Sequence, residues 1–141
     1  MIFECKKNNI PEFLNKCCGR NFLNSYEKGV AAENSAEKKL KSKGYEILGK
    51  RMRTAHGEID ILAKKNSDVV AVEVKQRKYL SYSKECISNR QKARISKAFL
   101  SIIAERDDAF ENYRIDVICL DSVGRFEHIE NAINIEEFIS F

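Results

Sequence analysis

A chain of 141 residues, 43% of them hydrophobic and 33% charged, has the composition of one soluble globular domain with room for a core. No run approaches 18 apolar residues, which excludes a transmembrane helix, and the first residues lack the basic-then-apolar layout of a secretion signal. The five cysteines include no CxxC pair, so the sequence indicates neither a zinc site nor a disulfide framework and favours a reducing cytoplasm.

The net charge of +4 is unevenly distributed along the chain. Residues 75–97 hold eight Lys and Arg against one acid, whereas residues 105–141 hold ten acids against three Arg. Charge segregated in this way can steer a polyanion to one side of a protein, although a basic run is also typical of a solvated helix face.

A first helix is predicted over residues 25–43. Asn24 or Ser25 can cap its start, and Gly44 suits a C-terminal cap. Its apolar stripe consists of Tyr26, Val30, Ala36 and Leu40. Glu33 falls within that stripe and is therefore expected to face the core rather than water.

Three strand-like segments follow, over residues 45–53, 58–63 and 69–76. The polar, turn-like connection at 64–68 predicts an antiparallel hairpin between the second and third of these strands.

A second helix is expected after a loop over residues 79–87. Ser88 and Gln91 have the spacing of a capping box at its start, and the helix should run to about Ala104. A strong fourth strand follows over residues 113–120, and because a helix lies between the third and fourth strands, these two can pair in parallel.

The end of the chain is expected to form a short strand over residues 125–129 and a helical turn or strand over 135–141. These elements predict a mixed α/β domain, with a central sheet flanked by helices, over residues 25–141. Residues 1–24 are expected to precede it as a loose arm or a short helix.

The most β-prone part of the chain carries three charged groups, Asp60, Glu73 and Lys75, in the pattern D-(12 residues)-E-x-K. Side chains alternate along a strand, so Glu73 and Lys75 share a face, and the hairpin can bring Asp60 to the same cleft. Charges are costly to bury unless they are paired or bind a metal. Two carboxylates and an ammonium that converge there would form a divalent-metal site with a proton-handling group, the chemistry of phosphodiester hydrolysis.

Each of these groups also has a plainer interpretation. Glu73 and Lys75 alone fit an ion pair on an exposed sheet face, and Asp60 alone fits a carboxylate at a strand end or turn. The combination of the sequence Gly57-Glu58-Ile59-Asp60, the 12-residue gap and the inward-facing Glu33 favours a site.

Mg²⁺ (or Mn²⁺) suits such a cleft because it takes hard oxygen ligands, often one or two carboxylates, and keeps positions for water and substrate phosphate. We predict Asp60 and Glu73 as ligands, with a backbone carbonyl near Val74 as a further one. The ion would activate a water molecule, and Lys75 would orient that water or stabilise the negative charge of the transition state.

Five short motifs occur in order along the chain. They are Lys28-Gly29-x-x-Ala32-Glu33, Gly57-Glu58-Ile59-Asp60-Ile61-Leu62, Val72-Glu73-Val74-Lys75-Gln76-Arg77, Arg90-Gln91-Lys92-x-Arg94-Ile95 and Arg114-Ile115-Asp116-Val117. In these motifs the chain resembles the YraN family of small bacterial proteins, which are regarded as predicted endonucleases similar to archaeal Holliday junction resolvases of the PD-(D/E)xK nuclease superfamily. The resemblance covers most of the chain and implies a restriction-endonuclease-like core.

The resemblance also implies roles for single residues. It assigns metal ligation to Asp60 and Glu73 and the catalytic lysine role to Lys75. It matches Glu33 to the helical acid that often completes such sites. It matches Gln91 to a polar residue that touches the metal-bound water or a phosphate, with the capping box as an open alternative.

Three further polar residues receive supporting interpretations. Glu58 has the facing to support a metal ligand, and His56 is expected in a loop near the DNA. Asp116 is expected to pair with Arg114 or with a neighbouring strand rather than to catalyse.

Phosphate contacts are predicted for basic residues around the cleft. They are Arg51, Arg53, Arg77, Lys78, Arg90, Lys92 and Arg94, together with Lys50. Such contacts favour DNA recognised by its shape rather than its base sequence, with a marked dependence on salt.

Three functional hypotheses follow from these residues. The first is a Mg²⁺-dependent DNA endonuclease that acts on branched or damaged DNA. The second is a DNA-binding or scaffold protein that keeps the fold without catalysis, and the third is a nuclease directed at RNA. Analogy with resolvases further predicts a two-fold dimer and no association with membranes.

Overall fold

The computed structural model describes residues 24–78, 80 and 87–139. The predicted N-terminal arm, apart from Asn24, lies outside the described residues, as does most of the predicted loop at 79–87. The elements are α1 (Ser25–Ser42), β1 (Glu46–Thr54), β2 (Gly57–Lys65), β3 (Asp68–Gln76), α2 (Asn89–Ala104), β4 (Asn112–Leu120), β5 (Phe126–Ile133) and a short 3₁₀ helix (Ile135–Phe138).

The five strands form one sheet in the order β1-β2-β3-β4-β5. Neighbouring strands are antiparallel except for β3 and β4, which pair in parallel across the α2 connection. The predicted hairpin and the predicted parallel crossover are therefore both confirmed. This mixed sheet, flanked by two helices, is an α/β fold consistent with the restriction-endonuclease-like core that the motifs predicted.

Helix α1 begins with a reciprocal capping box. The Asn24 side chain accepts a hydrogen bond from the Glu27 N–H at 2.9 Å, and the Glu27 carboxylate accepts one from the Asn24 N–H at 3.0 Å. After its last turn the backbone of Gly44 takes a φ of 88°, a conformation that favours glycine. The sequence-based start and end of this helix agree with the structure to within one residue.

The inner face of α1 agrees with the predicted stripe except at its first position. Ala36 and Leu40 are fully buried, and Glu33 faces inward as expected. Tyr26 is 68% exposed, so its assignment to the apolar stripe was wrong. It lies in the first turn of the helix, where its ring packs against an arginine of β1 instead of the core.

The sheet separates two cores because side chains of β3 alternate between its faces. Val70 and Val72 pack under α1, while Val69 and Ala71 pack on the other side with Phe99 of α2. Glu73 lies two positions beyond Ala71 on the α2 side of the sheet, where it lines a cavity together with residues of that helix.

Strand β5 is longer than the five residues predicted. Its pairing with β4 shifts between the pairs Ile115–Ile133 and Val117–Ile129, so the strand contains a bulge there. At the bulge Asn131 has a φ of 50°, and its N–H donates to the buried Asp116 carboxylate at 2.9 Å. A carboxylate of β4 thus accepts a hydrogen bond from the β5 backbone where the pairing of the two strands is irregular.

In the part of the chain that the structure describes, no helix has the length and apolar character needed to span a membrane.

Candidate active site

The candidate site lies where strands β2 and β3 part. Their pairing runs from Lys65–Asp68 to Ile61–Val72 and ends there. One residue before Ile61, the Asp60 carboxylate accepts a hydrogen bond from the Val74 N–H at 2.9 Å. The Asp60 side chain therefore accepts a hydrogen bond from the β3 backbone beyond the last residue pair of the two strands. This bond holds Asp60 beside the E-x-K segment.

A cavity of about 230 Å³ opens at this point of the sheet. It is lined by Gly57, Glu58, Asp60, Glu73, Gln91, Arg94 and Ile95. The two predicted carboxylate ligands, the predicted glutamine and one predicted phosphate-binding arginine therefore meet around a single space. The α2 helix supplies the glutamine and the arginine, and the hairpin supplies the carboxylates.

The environment of Asp60 disfavours its charged form. Burial raises the pKa of Asp60 to about 7, and the negative charge of Glu73 adds to the rise. The hydrogen bond from Val74 opposes this effect, while the charge of Glu33 and a side-chain hydrogen bond with Glu73 reinforce it. Two carboxylates are thus held close together in a partly dehydrated place, an arrangement that a cation would stabilise.

Lys75 and Glu73 form the same-face ion pair that the sequence allowed. The Lys75 Nζ lies 2.9 Å from the Glu73 Oε1. The side chains are only 17% and 14% exposed, so this is not the exposed surface pair of the plainer interpretation. The ammonium group is held against Glu73, although Lys75 itself does not line the cavity.

Glu33 is close enough to influence Asp60, but it does not line the cavity. Its carboxylate forms a bidentate pair with Arg51, with the Arg51 Nε at 2.7 Å from Oε2 and Nη2 at 3.2 Å from Oε1. Arg51 has a φ of 49°, which is uncommon for a residue other than glycine. The Arg51 guanidinium group, which was predicted to bind phosphate, is therefore paired with a carboxylate of the protein itself.

The donor set at the cavity fits a hard divalent ion through two carboxylates. Within the described ranges, no three His, Cys, Asp or Glu side chains lie close enough together to form a complete metal site. Asp60 and Glu73 would supply the one or two carboxylates that Mg²⁺ usually takes from a protein, and its other positions would be left to water and substrate. Glu33 would join them only if Arg51 released it.

Gln91 forms the predicted capping box and also lines the cavity. The Ser88 hydroxyl accepts from the Gln91 N–H at 3.2 Å, and the Gln91 Oε1 accepts from the Ser88 N–H at 3.2 Å. The capping box is thus confirmed. The side-chain nitrogen of Gln91 takes no part in it, which keeps an amide donor at the cavity.

The predicted phosphate-binding residues are spread around the cavity rather than gathered in it. Arg94 lines it, whereas Lys92 lines a second cavity of about 300 Å³ between α2, β5 and the 3₁₀ helix. The Arg53 side chain is 87% exposed beside Glu58, and Lys50 is paired with Glu37 at 2.7 Å. The others are Arg77, which is partly buried, and Lys78 and Arg90, which are exposed. His56 lies in the exposed turn between β1 and β2, as expected.

A second charged cluster, which the sequence revealed only in part, lies under the end of α1. The fully buried Asp116 accepts hydrogen bonds from the Arg114 Nε at 2.8 Å and bonds the His128 Nε2 at 2.7 Å. Arg114 also donates to the Tyr45 hydroxyl at 2.7 Å. Asp116 was predicted to pair with Arg114 or with a neighbouring strand, and the structure shows both. A charge inside the apolar strand β4 was the available signal, but the partners Tyr45 and His128 could not be read from it.

The fold and the cavity define a class: an α/β protein with a restriction-endonuclease-like sheet and two close carboxylates where two of its strands part. The family model described as "Uncharacterised protein family UPF0102" matches residues 32–120. The chain belongs to this family, which confirms at the family level what the ordered motifs predicted.

Several relatives with the same family name resemble the chain over most of its length. A UPF0102 protein of Bradyrhizobium diazoefficiens is 43% identical over 111 residues, which cover 78% of this chain and 84% of the relative. One of Ruegeria pomeroyi is 38% identical over 105 residues (74% and 85%), and one of Granulibacter bethesdensis 37% over 110 residues (77% and 70%). Among solved structures, that of Pyrococcus furiosus SfsA in complex with Ca²⁺ matches 79% of this chain and 65% of the SfsA chain. The two sequences are 16% identical, and the TM-score of 0.34 is low.

Proposed function

We propose that this protein is a divalent-metal-dependent DNA endonuclease of the PD-(D/E)xK superfamily that hydrolyses phosphodiester bonds in branched or damaged DNA. The observation that carries the proposal is the convergence of Asp60 and Glu73 on one cavity, with the ammonium of Lys75 at 2.9 Å from Glu73. A purely structural role does not explain two carboxylates that line one cavity, where burial and then the charge of Glu73 raise the pKa of Asp60 to about 7.

Asp60 and Glu73 would hold Mg²⁺ or Mn²⁺, and the bound ion would activate water and offset charge on the phosphate. The hydrogen bond from Val74 keeps the Asp60 carboxylate aimed at the E-x-K strand. Lys75 carries donors that can reach a phosphate oxygen or orient the attacking water. Arg94 and the side-chain nitrogen of Gln91 add donors at the same cavity.

A DNA substrate is supported by the charge around this cavity. Arg94 lines it, and Arg53, which pairs with Glu58 at 3.2 Å, extends from β1 with an 87% exposed side chain. Arginine and lysine contacts to phosphate position a duplex without reading its bases, so recognition would depend on shape and on salt.

The test is cleavage of linear, flapped and four-way DNA with Mg²⁺ or Mn²⁺ by the wild type and by Asp60→Ala and Lys75→Ala. Lys97→Ala is the matched control, since Lys97 belongs to the same basic run but is exposed on α2. We expect cleavage by the wild type and Lys97→Ala, with a loss of about 100-fold or more in the other two variants.

Cleavage that survives in Asp60→Ala and Lys75→Ala would rule out the proposed site. DNA binding without cleavage of any substrate would favour the alternative of a non-catalytic DNA-binding or scaffold protein. Matched RNA substrates in the same panel decide between a DNA and an RNA nuclease.

A further inference from the structure

Tyr26 is the most exposed aromatic residue in the part of the chain described, at 68% of its full accessibility. A single exposed apolar side chain is normal on a protein surface and would carry no argument alone. This ring, however, is held in place. The Arg51 guanidinium carbon lies 4.8 Å from its centroid, within the range of a cation–π contact.

The same arginine connects the ring to the candidate active site. Arg51 is fixed by its bidentate pair with Glu33, which is 8% exposed. The charge of Glu33 is in turn felt at Asp60, on the cavity. Tyr26 is therefore linked through Arg51 and Glu33 to Asp60 of the candidate site, and its exposed ring packs on an arginine of β1, the strand that pairs with β2.

We propose that Tyr26 is a stacking platform for one unpaired base of the DNA beside the bond to be cut. The proposal rests on the proposed nuclease function for the position of the DNA, and it names the substrate class: DNA with an unpaired nucleotide at the cleavage point, such as a flap or a junction. Base stacking on an aromatic ring tolerates any base, so no sequence preference accompanies it.

The surroundings of the ring favour a nucleic acid over an apolar protein partner. Arg51 covers part of the ring with positive charge, and Arg53, two residues along the same strand, has an 87% exposed side chain. An aromatic ring beside an arginine, on a strand with a second, exposed arginine, offers the two contacts that single-stranded DNA uses, a π-face for the base and a cation for the phosphate.

The test uses two DNAs that contain 2-aminopurine at the same position, in one as the first unpaired base of a flap and in the other inside an intact duplex. Binding is followed in EDTA, so that no variant cleaves, and 2-aminopurine fluorescence reports stacking. The variants are Tyr26→Ala, Tyr26→Phe and the control Tyr113→Ala. Tyr113 is 45% exposed at the start of β4, at the opposite end of the sheet from Glu73, and a thermal melt checks that each variant is folded.

We expect fluorescence quenching on the flap with the wild type and Tyr26→Phe. In Tyr26→Ala the quenching should be lost and the flap affinity should fall roughly 5- to 100-fold, with duplex affinity unchanged. Equal affinity for the flap in Tyr26→Ala and the wild type, or an equal loss on both DNAs, would overturn the proposal.

The two proposals fail in distinguishable ways. Tyr26-dependent quenching by a protein that cleaves nothing would support the platform and contradict the nuclease. Cleavage of flaps with no effect of Tyr26→Ala on binding or quenching would contradict the platform alone.

Discussion

The Asp60 carboxylate accepts a hydrogen bond of 2.9 Å from the Val74 N–H, between the two charged residues of the E-x-K segment. The D and E-x-K parts of the pattern are thus joined directly, through a backbone donor beyond the last β2–β3 residue pair. The geometry keeps two carboxylates together against their mutual repulsion, and this has a measurable cost in stability.

We expect Asp60→Asn to be more stable than the wild type at pH 8 in EDTA. The pKa of Asp60 in the folded protein is about 7, above its ordinary 3.8, so its favourable contribution is complete below pH 3.8 and is lost as the pH rises through 7. Asparagine stays neutral and can still accept the Val74 hydrogen bond. The gain should be roughly 1–3 kcal/mol at pH 8 and absent near pH 4, measured by urea unfolding.

Glu46→Gln, an exposed carboxylate on β1, serves as the control for the loss of one negative charge. A gain for Asp60→Asn that is the same at pH 4 and pH 8 would contradict the raised pKa.

Substitutions of Arg51 should separate its ion pair from its backbone strain. Arg51→Asn and Arg51→Ala both remove the pair with Glu33 and should each cost about 1–3 kcal/mol in the free energy of unfolding. At a φ of 49° alanine is strained more than asparagine, so the alanine variant should be less stable by a further ~0.5–1 kcal/mol. Arg53→Ala, at an 87% exposed side chain, should change stability by under about 0.5 kcal/mol. An alanine variant as stable as the asparagine variant would show that the backbone is not strained there.

Asp116→Asn should destabilise the protein most at neutral pH. Burial alone would raise the pKa of Asp116, but hydrogen bonds with His128, Arg114 and the Asn131 N–H outweigh it and lower the pKa. The stabilisation is therefore present above its ordinary 3.8 and is lost as the pH falls through the lower folded value. We expect a loss of about 2–4 kcal/mol at pH 7 that shrinks below pH 4, from urea unfolding across this range. Asp107→Asn, exposed after α2, is the control. A difference that does not change with pH would contradict the role of the charge.

Much of the fold could be predicted from patterns of residues that are close in sequence. The polar turn at 64–68 and the alternation of β3 predicted the hairpin, and Ser88 with Gln91 predicted the start of α2, because each of these features depends on residues close in sequence. The length of β5 was not predictable in this way. The strand continues past a bulge at which the Asn131 N–H donates to Asp116, a contact between residues that lie 15 positions apart in the sequence.

The candidate site was predicted in its carboxylates and lysine but not in its electrostatic details. The D-(12 residues)-E-x-K pattern located Asp60, Glu73 and Lys75, since a hairpin fixes which residues face one another. Nothing in the sequence indicated that Arg51 would pair with Glu33. The backbone of Arg51 has a positive φ, which is uncommon for arginine and could not be predicted from the residue type. The exposed Tyr26 ring packs on the same arginine, a contact that the helical stripe did not predict.

The role of Glu73 as a metal ligand in catalysis is tested by single-turnover cleavage of flapped DNA by the wild type and Glu73→Gln, with DNA affinity measured in EDTA alongside. Glutamine keeps the size of Glu73 but removes the charge that would bind the metal. We expect Glu73→Gln to bind DNA as tightly as the wild type, or more tightly, and to cleave it about 100-fold more slowly or worse. Cleavage by Glu73→Gln at the wild-type rate would contradict this role of Glu73.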